Sequence, residues 1–194
     1  MKKIFLVLAF TSFFSISYAQ QTTQSTDTAW KHIYRGSYPR INDLVNTKLE
    51  VSFDYDKQWM YGQEWVTLEP HFYETDSLTL DAKGMEIKEI SMIKGKTKIP
   101  LKYSYDSMQL KITLDKTYKK DEKYTLYLNY ISKPNELKLS GSAAITGAKG
   151  LYFINPKGET DEHTEIWTQG ETESNSAWFP TIDKPDQKTL EEIS

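Results

Sequence analysis

The stretch Thr47-Lys48-Leu49-Glu50-Val51-Ser52-Phe53-Asp54-Tyr55 decides how the rest of the chain is read, because apolar and polar residues alternate along it. Successive side chains of an extended backbone point to opposite faces, so this alternation marks a strand with one face buried. Similar runs occur in Glu64 to Leu68 after Gly62, in Leu78-Thr79-Leu80, in Met108 to Leu114 and in Tyr124 to Tyr130. Polar turn residues separate them: Asp81-Ala82-Lys83-Gly84, Lys94-Gly95-Lys96, Asp121-Glu122 and Lys133-Pro134-Asn135. Short strands between polar turns every 8–12 residues or so predict an all-β fold, a largely antiparallel sandwich or saddle-shaped sheet. Two more strands are expected, over 150–154 and 164–169. In the second, Ile166 and Thr168 fall on one face and Glu165, Trp167 and Gln169 on the other. Gly170 interrupts that run as a bulge or sharp turn would. The small and polar residues 140–149 read as a surface loop.

Upstream of the first strand the sequence changes character. Met1-Lys2-Lys3 is basic, Ile4 to Ile16 is mostly apolar, and Ser17-Tyr18-Ala19 presents small residues where a signal peptidase reads. Residues 1–19 are therefore expected to be an export signal cleaved after Ala19, leaving a periplasmic or secreted product. The apolar run is shorter than the roughly 20 residues of a bilayer span, so no membrane anchor is expected. Residues 20–45 read as a polar leader followed by an irregular lead-in. The β domain is expected over 46–194.

Composition removes several function classes. Lys plus Arg number 24 against 27 Asp plus Glu, and the two signs are interspersed, which argues against a nucleic-acid partner. There is no Cys, hence no disulfide, cysteine nucleophile or thiolate metal site. The three His occur singly at 32, 71 and 163, and no His-Glu-x-x-His, Gly-x-Ser-x-Gly or phosphate-binding glycine loop is present. Asp161-Glu162-His163-Thr164-Glu165 gathers metal-binding residue types. On an extended segment, however, neighbours face opposite ways, and a solvated acidic loop is the simpler reading. The aromatic residues alternate with aliphatic ones on strand faces, a pattern of packing rather than of a carbohydrate platform. In Thr168-Gln169-Gly170-Glu171, Glu171 is an anion able to receive a cation, although a loop glutamate in water fits its chemistry as well.

Three features, taken in order, resemble the aminopeptidase N family of zinc metallopeptidases, the gluzincins that include leukotriene hydrolase-like enzymes. They are the strands around 48–54, 78–82 and 124–130, the segment Gly150-Leu151-Tyr152-Phe153-Ile154-Asn155, and a pair of motifs near the end. Thr168-Gln169-Gly170-Glu171 looks like the family's Thr-Gln-x-Glu. Trp178-Phe179-Pro180-Thr181-Ile182-Asp183-Lys184-Pro185 looks like its Phe-Pro-Cys-x-Asp-x-Pro, with Thr181 where the family often has Cys. The resemblance runs from about residue 46 to the end of the chain.

It implies the family's N-terminal β domain, incomplete at its C-terminal end. It also implies a function: binding the free amino end of peptide substrates through Gln169 and Glu171, beside a downstream catalytic domain of the same polypeptide. The zinc, its ligands and the catalytic glutamate would lie in that downstream domain, so neither catalytic nor metal-ligating residues are expected in these 194. The chain alone is expected to be inactive. A stand-alone exported β-sandwich serving as a binding or interaction module is the alternative.

Overall fold

The computed structural model describes residues 36, 38–137 and 149–194. The export signal, the leader, His32 and most of the 140–149 loop lie outside the described residues. From Pro39 to Ser194 the chain forms one unit. Its eleven strands are β1 (Asn42–Asp54), β2 (Trp59–Pro70), β3 (Thr75–Asp81), β4 (Glu86–Lys94), β5 (Thr97–Pro100), β6 (Lys102–Tyr105), β7 (Gln109–Tyr118), β8 (Tyr124–Ser132), β9 (Leu151–Ile154), β10 (Glu165–Thr168) and β11 (Leu190–Ile193). Among the described residues the only helical element is a single 3-10 turn, Asn175–Ala177.

Six strands form a sheet in the order β11-β1-β2-β8-β4-β5, three form a second in the order β3-β7-β6, and β9 and β10 make a hairpin. The all-β expectation holds, and the described strand pairs are antiparallel except β1 with β11. The inward faces of the two larger sheets build one core. Leu49, Met60, Val66, Leu68, Met92, Leu126 and Leu128 come from the six-stranded sheet, and Leu78, Leu80, Leu110 and Ile112 from the three-stranded one. Apart from Met60 and Met92, these residues lie in the runs that the sequence pattern marks as strands.

Alternation fails where a strand carries an extra residue. β1 begins at Asn42, so 42–45 belong to the sheet rather than to an irregular lead-in. A bulge between Leu44 and Asn46 shifts the register against β2 and breaks the period at that point. The side chain of Gln187 lies along the bulged segment like an additional peptide unit. Its Oε1 accepts from Leu44 N at 3.0 Å, and its Nε2 donates to Asn42 O at 3.1 Å. β4 hides for the same reason, having a register shift between Ile87 and Glu89. His71 places Nδ1 2.8 Å from Asp43 Oδ2, which ties the end of β2 to the start of β1.

Lys188 to Ile193 read alone would pass for a short helix, yet Leu190–Ile193 is a strand. β11 runs parallel to β1, with Asn46 opposite Leu190 and Leu49 opposite Ile193. Val51 N donates to Ser194 O at 2.9 Å, and Ser194 N donates to Leu49 O at 3.0 Å. The open hydrogen-bonding edge of β1 outweighs the local helical preference of the segment.

Candidate substrate-binding loop

The β9–β10 hairpin is fixed to the body from one face. Leu151 and Phe153 are buried there, and the Phe153 ring meets Phe53 edge-on at 6.2 Å and Tyr55 at 5.9 Å. The connection between the two strands is tied by Asn155. Its Nδ2 donates to Glu162 O at 2.6 Å and Thr160 O at 3.2 Å, while Thr164 Oγ1 donates to its carbonyl at 2.8 Å. His163 and its acidic neighbours are exposed on this connection.

At the other end of the hairpin, Gln169 N donates to Gly150 O at 2.9 Å and lengthens the ladder by one residue. Gly150 has φ +69°, and a Cβ there would fall 2.0 Å from Ser174 O, so backbone approaches backbone as only glycine allows. Gly170 faces the Asn175 side chain, which a Cβ would meet at 2.8 Å. Glu171, Thr172 and Glu173 form the loop between, closed by Ser174 N donating to Gly170 O at 2.9 Å and Ser174 Oγ donating to Glu171 O at 3.0 Å.

The segment from Ser174 to Lys184 clamps this loop to the sheets. Trp178, Phe179 and Pro180 are buried behind the 3-10 turn. Asp183, 8% exposed, accepts from Ser176 N at 2.9 Å, and its own N–H donates to Asp81 Oδ2 at 3.2 Å. Asp81 and Thr181 exchange backbone hydrogen bonds of 2.7 and 3.0 Å, and Lys83 N donates to Ser176 O at 2.7 Å. Lys184 Nζ lies 2.9 Å from Glu173 Oε2, occupying the loop's other carboxylate.

The two residues singled out from sequence thus stand together on one short, tied segment. Gln169 is half-buried at the end of the ladder, and Glu171 is exposed at the start of the loop. The holding residues Asp81, Asp183 and Gly150 escape sequence reading in that role. Only the glycines at the strand ends hint that backbones come close there. No group of three His, Cys, Asp or Glu among the described residues is placed to hold a metal ion, so the residues here do not fit a zinc site.

The β domain that carries the Gln169–Glu171 loop matches the Peptidase M1 N-terminal domain family over residues 34–194. The chain belongs to that family. Among solved structures it resembles a two-domain M1 zinc metallopeptidase mutant bound to L-arginine, with TM-score 0.64 and 16% identity over 83% of this chain and 34% of the other. It also resembles an M1 zinc metallopeptidase mutant from Deinococcus radiodurans bound to a Tyr-Ser-Ala substrate, with TM-score 0.64 and 15% identity over 83% and 34%. Native yeast LTA4 hydrolase gives TM-score 0.60 and 14% identity over 87% and 26%. The chain spans about a third or less of the length of these structures. The comparison with curated proteins gives no match.

Proposed function

We propose that this domain supplies the wall that holds the amino terminus of the substrate in an exported, zinc-dependent aminopeptidase whose catalytic domain lies elsewhere in the same polypeptide. Glu171 pairs with the substrate ammonium, and Gln169 hydrogen-bonds in the same subsite. The observation that carries this reading is the placement of both side chains on a segment tied at Gly150, Gly170 and Asp183. A carboxylate held against the ammonium fixes where the peptide starts, so the first peptide carbonyl is presented to the metal and only the terminal residue is released. Zinc, when bound by the catalytic domain, supplies the activated water and polarises that carbonyl.

The test is Glu171→Gln in the zinc enzyme. It should lower kcat/KM on free-amino dipeptides by about tenfold or more, as expected for truncating one member of a desolvated charge pair. Unchanged kinetics would remove Glu171 from the site.

A further inference from the structure

Beside Gln169 the hairpin carries an aromatic feature that the amino-terminus subsite does not use. Tyr152 and Trp167 are directly opposed across β9 and β10, and their rings stack with centroids 4.6 Å apart and planes 14° from parallel. Tyr152 covers one face of the indole, yet Trp167 is 45% exposed. Leu151 and Phe153 occupy the opposite, buried face of the hairpin, so strand alternation turns Trp167 to the side that Gln169 takes two residues later. Two strand residues span about 7 Å, which is also the reach of a large side chain from its own α-amino group. The ring pair is rigid, being held by the Asn155 ties at one end and the Gly150–Ser174 approach at the other.

We infer that the stacked Tyr152–Trp167 pair is the wall against which the side chain of the first substrate residue packs, so that the enzyme prefers peptides beginning with aromatic or large aliphatic residues. This rests on Gln169 and Glu171 holding the substrate amine. A flat, pre-stacked aromatic surface gains apolar contact with a large side chain at little ordering cost, whereas an alanine side chain at the same position is too short to cover it.

The experiment measures kcat/KM for phenylalanyl and alanyl nitroanilides in the full-length zinc enzyme, and takes their ratio, which is independent of how much of a variant folds. Trp167→Ala should lower the phenylalanyl-to-alanyl ratio about tenfold, and Trp167→Phe, which keeps a ring, should lower it less than threefold. A ratio unchanged in Trp167→Ala overturns the proposal, whether or not both rates fall, and so does an equal loss in the two variants. Glu171→Gln, assayed in parallel, separates the two readings: failure of the amine anchor shows as unchanged rates in that variant, and failure of the aromatic wall as an unchanged ratio in Trp167→Ala.

Discussion

Glu64 projects from β2 into the interior, fully buried, and neither carboxyl oxygen has a hydrogen-bond partner among the described residues. The Tyr130 ring lies over Gly62, where a Cβ would come within 2.3 Å of it, and its hydroxyl is likewise buried without a partner. Burial pushes the Glu64 carboxyl well above the ordinary value of 4.5, so the folded chain holds the neutral acid where the unfolded chain ionises. The stability tied to this group is therefore complete below the unfolded value and is lost as pH rises towards the folded one. Asp106 acts in the opposite sense. Backbone donors Gln109 and Met108 lower its pKa, so its contribution is present above the ordinary aspartate value and lost in acid. Glu64→Gln keeps the shape of the neutral acid without its proton linkage. Denaturant titrations between about pH 5 and 7 should show the wild type losing stability relative to this variant as pH rises, by a proton count approaching one. A constant difference across that range would mean that Glu64 is not held neutral.

The β9–β10 hairpin and the loop after it depend on Gly150 more than on any side chain of the site. Gly150→Ala sets a Cβ against Ser174 O at a backbone angle that alanine avoids, and should cost about 2 kcal/mol or more of stability in urea unfolding. Because Gln169 donates to Gly150 O, the same change should also disturb the amine subsite. How legible each element is in the sequence depends on its regularity. β7 and β8 bury every second residue for most of their length, and the sequence displays both. β4 and the start of β1 carry bulges that shift the apolar set by one, so their first residues look irregular although all but the bulged Val45 and Lys88 pair in register. β11 is exposed along its whole length, and pairing rather than burial makes it a strand, which no hydrophobic pattern records. Gln169 and Glu171 are legible only as a motif. Their chemistry is that of any polar loop until the backbone contacts around Gly150 and Gly170 show that the loop is held.

At the scale of the molecule, two sheets share one core, and the hairpin and the segment after the loop join it through Leu151, Phe153, Trp178 and Phe179. If the zinc ligands lie in a downstream domain as proposed, the 194-residue chain supplied with zinc should not hydrolyse aminoacyl-nitroanilides. Steady turnover by pure material, abolished by a chelator, would place a metal centre within it. The pairing of β1 with β11 carries a different consequence, one of timing. Leu49 and Ile193 face each other although almost the whole domain lies between them in the chain. One edge of β1 stays unpaired until residues 190–193 are in place, and loop closure over that span is entropically slow.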